Sequence, residues 1–172
     1  MTTLRIDRIA APAGAPFAEI LIAVDGDKLV AVDFKGFEAR MQRLLAKRYA
    51  AFDFAEKSDP CGFATSIRAY LAGKLDAIKD IAVDTGGTPF QRDAWQALRS
   101  IAPGTTVTYG EQAQRIGRPR AARAIGTANG QNPVAIVLPC HRVVGSQGAL
   151  SGYAGGVATK AWLLQHEQDA MH

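Results

Sequence analysis

Two short runs of apolar residues open the pattern. Residues 19 to 24 (Glu-Ile-Leu-Ile-Ala-Val) and 28 to 34 (Lys-Leu-Val-Ala-Val-Asp-Phe) are separated by Asp25-Gly26-Asp27. Apolar β-type runs on either side of a Gly-containing turn predict two antiparallel strands joined as a hairpin. From Phe37 to Tyr49 the period changes. Met41, Leu44 and Leu45 recur at helical spacing among Arg40, Arg43, Lys47 and Arg48, which predicts a scaffold helix with a basic outer face. A second helix is expected over Phe63 to Leu71 and a strand near Ile81 to Val83. Asp84-Thr85-Gly86-Gly87 reads as the linker that closes an N-terminal α/β unit.

Beyond the linker the helix signals sharpen. Thr88-Pro89-Phe90-Gln91 offers an N-cap, a proline at the first helical position and a glutamine able to close a capping box. A helix over 89 to 99 follows, with Phe90, Ala94, Trp95 and Leu98 as its core stripe and Trp95 a core residue. Pro103-Gly104 ends that element. Thr108-Tyr109-Gly110-Glu111 repeats the capping box and opens a short helix that Gly117 stops. The next helix is expected to run from Pro119 to about Asn129. Two short helices around a tight turn, the second rich in arginine, form a helix-turn-helix pattern, which many plain αα-hairpins share. At 100° per residue, Ala121, Ala124, Ile125 and Ala128 face inward, and Pro119, Ala122, Gly126 and Asn129 face away with Arg123 at the edge. Small residues on the outer face let another surface approach closely, whether a ligand or a protein element.

The run Val134 to Leu138 reads as a buried strand that delivers Pro139-Cys140-His141-Arg142. Cysteine is among the most buried residue types, so a lone Cys is more often packing than chemistry. A cysteine beside a histidine at the end of a strand is nonetheless a candidate nucleophile, because the thiolate is the reactive species and imidazole can accept its proton. Side chains of successive extended residues point apart. Cys140 and His141, as neighbours in an extended segment, would then point to opposite sides.

Charge changes the picture more than composition does. The formal net charge of +4 is concentrated: residues 1 to 111 hold 14 basic and 14 acidic groups, whereas 112 to 166 hold Arg115, Arg118, Arg120, Arg123, Arg142 and Lys160 and no acid. A positive segment that also carries the candidate nucleophile favours a polyanionic partner over a merely solvated face. Two cysteines give no disulfide framework, and the absence of an apolar leader near Met1 leads to the expectation of a cytoplasmic protein without membrane contact. His141, His166 and His172 show no metal-ligand spacing, so neither metal nor cofactor is expected.

Asn132-Pro133, Pro139-Cys140-His141-Arg142-Val143 and Gly152-Tyr153-Ala154-Gly155-Gly156 together resemble the active-site signature of the O6-alkylguanine-DNA alkyltransferases. The resemblance covers residues 88 to 167 well and the N-terminal half only in general layout. It implies an α/β domain over 1-84, with a small antiparallel sheet and helices, RNase H-like. It also implies a mainly α, winged-helix-like domain over 88-172 that contains the helix-turn-helix. The implied activity is direct-reversal DNA repair: an alkyl group on guanine O6, with O4-alkylthymine as a further substrate, moves irreversibly to the protein's own cysteine in a single turnover. The implied partner is double-stranded DNA containing alkylated guanine, bound by a monomer.

By the same resemblance Cys140 is the alkyl acceptor, His141 deprotonates it through a water, and Glu167 orients His141. Asn132 is the hinge asparagine, and Tyr109 contacts the flipped base and the rotated phosphate. Arg123 matches the arginine finger that replaces the extruded nucleotide, with Arg118, Arg120, Ala122 and Gly126 on the DNA-facing helix-turn-helix. Tyr153, Gly155, Gly156 and Val143 line the substrate pocket, and Ala154 stands where some relatives have serine. Cys61 matches nothing and is expected to be structural and unreactive. His166, four residues after Trp162, is expected to pack on it. Two competing readings are a Cys/His hydrolase, which leaves the basic segment without a purpose, and a non-catalytic lesion-binding module, against which the retained Cys140 argues. An adaptive-response regulator would need a cysteine cluster that is absent.

Overall fold

The computed structural model describes residues 1–172. Strands β1 (Thr2–Ala10), β2 (Glu19–Asp25), β3 (Lys28–Phe34) and β4 (Phe52–Glu56) form one sheet in the order β3-β2-β1-β4. The predicted hairpin is β2-β3, and β1 pairs antiparallel with β2, but β4 lies parallel to β1. The sheet is therefore mixed, which corrects the expected antiparallel one. Neither β1 nor β4 is among the expected strands, although Leu4-Arg5-Ile6-Asp7 and Phe52-Asp53-Phe54 alternate apolar and charged residues as half-buried strands do.

Alternation of side chains across the pleat gives β1 two jobs. Leu4 joins Ala23, Val30 and Ala31 on the face covered by α1 (Glu38–Ala46), whose Met41 and Leu45 close that smaller core. Ile9 faces the opposite side. There it meets Ile20, Ile22, Val24, Leu29, Val32 and Phe34 beneath α2 (Phe63–Leu71). This second core continues without a break through Val134–Leu138 to Trp95, Leu98 and Leu163, a cluster of 27 buried residues that joins both halves of the chain. At about 1.5–3 kcal/mol for each large apolar side chain removed from water, this shared core is the main bond between the halves.

The expected strand at 81 to 83 is reduced to one bridge, Leu29 to Val83, held by Leu29 N–H to Ala82 O and Asp84 N–H to Leu29 O. The chain leaves β3 at once because Gly86 and Gly87 turn it with positive φ. Gly87 has a second reason to lack a side chain: a Cβ there would lie 2.7 Å from the Trp95 ring.

Both capping boxes form as predicted, at the starts of α3 (Pro89–Leu98) and α4 (Tyr109–Arg115). Strand β5 (Val107–Thr108) leads into α4 and pairs parallel with β6 (Val143–Val144). Helix α5 (Ala122–Gly130) starts three residues later than expected. Arg118 to Ala121 make a turn closed by Ala121 N–H to Arg118 O, and no side chain caps the helix. Its faces also differ from the expectation. Ala124 is exposed, while Asn129 is buried and exchanges amide hydrogen bonds with Gln112 of α4 at 2.8 and 3.2 Å. A helical wheel treats Asn as outward, but a reciprocal amide pair satisfies the buried polar atoms and reverses that preference.

Val134 to Leu138 is buried as expected but is not a strand. Only Val134 bridges to Val32, and Ile136 adopts φ +71°. The last helix, α6 (Val157–Ala170), lies against the turn that carries Cys140. No helix is long and apolar enough to cross a membrane.

Candidate active site

Cys140 begins a single 3-10 turn, Cys140–Arg142, rather than continuing an extended segment. The irregular chain before it is held by Asn132, just beyond α5. The Asn132 side-chain amide donates to Leu138 O at 2.8 Å and lies 3.2 Å from Cys140 Sγ, and its carbonyl oxygen accepts from Val134 N–H. Arg40 of α1 fixes this corner from the sheet side: its guanidinium pairs with buried Asp33 at 2.9 Å and donates to the carbonyls of Gly130 and Asn132. The basic face of α1, predicted to be a solvated scaffold, is in part this clamp. Lys47 and Arg48 add bonds to Gln131 and Asp84.

Behind the cysteine lies a fully buried polar cluster centred on Glu167 of α6. Its Oε2 is 2.8 Å from His141 Nε2 and accepts from Tyr70 OH at 2.6 Å and Arg142 Nη2 at 2.8 Å. Oε1 accepts from Arg142 Nε and Gly104 N–H. An arginine cannot accept and an ionised carboxylate cannot donate, so the hydrogen-bond pattern assigns the proton of neutral His141 to Nε2. Nδ1 is left as a buried acceptor with no protein partner. Burial works against the charge of Glu167, but the hydrogen bonds from His141 and Arg142 and the Arg142 charge outweigh it and hold the carboxyl well below the usual range. Burial also lowers the His141 pKa, against the pull of Glu167, so the ring rests neutral near pH 7. The Cys140 thiol is pushed up by burial, opposed by the Asn132 bond and the Lys160 and Arg40 charges. A thiol of that kind needs a base at the moment of reaction.

Other expected residues gather on the open side. Tyr109, at the start of α4, and Lys160 of α6 both donate to Ser151 O, at 3.3 and 3.1 Å, and the Lys160 ammonium lies 5.7 Å from the centre of the Tyr109 ring. The Tyr153 hydroxyl is buried with no hydrogen-bond partner, and its ring stands 6.1 Å from Phe34. Gly155 is buried and leaves no room for a side chain, since a Cβ there would sit 2.5 Å from Phe34. Gly156 turns the chain into α6 with φ +93° and open space beside it. Val143, beside the cysteine turn, is buried in the β5-β6 pairing.

Of the six basic groups counted as one positive face, the structure exposes four. Arg115, Arg118, Arg120 and Arg123 are exposed on α4, the turn and α5. Arg142 and Lys160 are buried and belong to the site. Ala122 and Gly126 are partly buried, and the Cα face of Gly126 lies against the Tyr109 ring. Arg142 was misread because charge counting cannot see burial. Tyr70 and Arg40 sit in segments without any motif, so no sequence signal marked them.

Cys61, expected to be structural, is not buried. It is exposed, with φ +58°, and contacts Gly26 O and the Arg5 guanidinium. His166 stacks on Trp162 at 4.9 Å and bonds Tyr70 O through Nε2, as the helical spacing implied. No group of three His, Cys, Asp or Glu side chains could hold a metal ion.

The family model described as "6-O-methylguanine DNA methyltransferase, DNA binding domain" matches residues 89–169. The methylated-DNA--protein-cysteine methyltransferase of Salmonella typhimurium is 43% identical over 169 residues, 97% of each chain. The protein of that name from Mycobacterium tuberculosis is 45% identical over 129 residues, 73% of this chain and 78% of the relative. Among solved structures, Mycobacterium tuberculosis OGT in complex with DNA superposes with TM-score 0.78 at 35% identity, over 98% of this chain and 94% of that one.

Proposed function

The chain belongs to the methylated-DNA--protein-cysteine methyltransferase family, and we infer that it repairs DNA by direct reversal, with Cys140 as the acceptor of the alkyl group from guanine O6. The observation that carries this reading is one connected arrangement: a buried thiol at the Asn132 amide, a neutral histidine next to it in the chain with a free Nδ1, and a carboxylate that fixes the ring.

His141 takes the thiol proton at Nδ1 through a bridging water, and the Asn132 N–H steadies the forming thiolate. Sulfur attacks the alkyl carbon in line. The S–C bond forms as the C–O6 bond breaks, and the electron pair stays on the guanine, which takes up a proton and leaves neutral. The product thioether does not exchange with thiols or water, so each molecule acts once. O4-alkylthymine offers the same electrophilic carbon beside a carbonyl-type oxygen and is proposed as a second substrate.

A target inside the stack must be flipped out at a cost of about a few kcal/mol. Helix α5 is the proposed minor-groove element: its outer surface carries Ala122 and Gly126, small enough for close approach, with Arg123 exposed to fill the gap and Arg118 and Arg120 to meet phosphates. Tyr109 is proposed to meet the extruded nucleotide, and Tyr153, Val143, Gly155 and Gly156 to bound its pocket. We read residues 1–84 as an RNase H-like domain, in keeping with helices on both faces of the mixed sheet, and 88–172 as a winged-helix-like domain sharing its core. A monomer in the cytoplasm suits a chain whose two cysteines are both free thiols.

The test is mass spectrometry after incubation with duplex DNA containing O6-methylguanine. One CH2 increment on the Cys140 peptide, at one per molecule with excess substrate, is the expected result. Repeated turnover or an unmodified Cys140 would overturn the reading.

A further inference from the structure

We propose that Tyr70 of α2 is a positioning residue for alkyl transfer, acting through Glu167 on His141, and that the N-terminal half thereby takes part in the chemistry. The proposal deepens the function stated above and rests on it.

Tyr70 and Glu167 are 97 residues apart in sequence, and their bond of 2.6 Å crosses from α2 to α6 inside the shared core. The Tyr70 side chain is fully buried. A ring serving only as packing would be better as phenylalanine, because a buried hydroxyl is costly unless it is bonded. Here it is bonded to the atom that also receives His141 Nε2–H and Arg142 Nη2. With Arg142 Nε and Gly104 N–H on the other oxygen, five donors meet about four lone-pair positions. The carboxylate is saturated. Its negative charge is spread over those donors, so it orients the imidazole without holding it as imidazolium.

Removing the Tyr70 hydroxyl concentrates charge on Oε2, where His141 donates. The imidazolium form then gains, and His141 can serve as a base only at higher pH. The other groups facing this cluster do not compensate: Arg142 is already bidentate on Glu167, Lys160 is bound to Ser151 O, Cys140 faces Asn132, and His166 bonds the Tyr70 carbonyl. A positioning role and a packing role therefore differ in the pH profile.

The experiment uses the full chain and free O6-benzylguanine, which needs no DNA binding. For Tyr70→Phe, with a melting temperature close to that of the wild type, the single-turnover rate should fall about tenfold on the acid limb of the profile and about threefold or less at pH 7. The acid limb of the rate profile should move up by about one pH unit. Nitrogen NMR of histidine-labelled protein should show the His141 midpoint rising in parallel, and this readout survives even if the variant is inactive. An unchanged rate profile and an unchanged His141 midpoint would overturn the proposal. So would a slower rate without any pH displacement, which a packing defect produces. Absence of transfer by the wild-type protein would instead strike the proposed function itself.

Discussion

Asn132 Nδ2 lies 3.2 Å from Cys140 Sγ while donating to Leu138 O, so one side chain at the exit of α5 holds the Cys140 thiol and the chain that leads to it. Replacing it by alanine removes three bonds in a buried corner. At about 0.5–1.5 kcal/mol net for each of the three bonds, Asn132→Ala should lose about 2–4 kcal/mol of stability. Alkyl transfer to the remaining folded protein should slow by more than about tenfold, since the forming thiolate loses its donor. Urea titration and single-turnover kinetics measure the two effects separately.

Arg40 serves that corner from the other side. Arg40→Ala leaves Asp33 buried and unpaired and frees the carbonyls of Gly130 and Asn132. A loss of about 3–5 kcal/mol is expected from breaking a buried pair. Arg40→Lys keeps the charge but cannot span three acceptors, and should fall between alanine and the wild type in the same titration.

Arg123 and Arg120 are both exposed near the start of α5 but should fail differently. Arg123→Ala is expected to slow repair of duplex DNA far more than reaction with free O6-benzylguanine, because only the duplex requires the gap to be filled. Arg120→Ala should weaken binding to all DNA alike. Rates on the two substrates for each variant decide this, and equal losses on duplex DNA would refute the finger role for Arg123.

Four exposed arginines on α4, α5 and the turn between them set a scale for salt sensitivity. If each meets one phosphate, a log-log plot of affinity against salt should have a slope of about −4. Counting Arg142 and Lys160 would give a steeper line, of about −5. Fluorescence anisotropy at several salt concentrations distinguishes the two.

Acid should lower the stability of the whole fold in part through Glu167, which stays ionised in the folded protein. The Glu167 carboxyl is held far below its ordinary value: burial opposes the charge, but the hydrogen bonds from His141 and Arg142 and the Arg142 charge prevail. A depressed pKa stabilises the folded state fully above the unfolded carboxylate value of about 4.3, and that contribution is lost as pH falls below it. Glu167→Gln should flatten the fall in melting temperature between about pH 5 and 3, at the cost of lower stability at pH 7.

Local signals determined the helix ends and the candidate nucleophile. The two capping boxes, the Asp25-Gly26-Asp27 turn and the α2 boundaries are set by residues within three or four positions of one another, and the structure reproduces them. Pro139-Cys140-His141 marked the chemistry for the same reason. The start of α5 was misplaced because no side chain caps it, and the neighbouring turn at Arg118 to Ala121 is set by backbone hydrogen bonding alone.

Burial and long-range pairing were decided by the tertiary structure. Arg142 and Arg123 are the same residue type in one basic segment, yet one is locked on Glu167 and the other is exposed. Only the placement of α6 over the cysteine turn separates them. β4 joined β1 in parallel, and Tyr70 met Glu167 across 97 positions, through contacts whose partners are remote in the chain. A periodicity reports which face of an element is apolar. It does not report which distant element covers that face, and a buried charge survives only where such an element brings a partner to it.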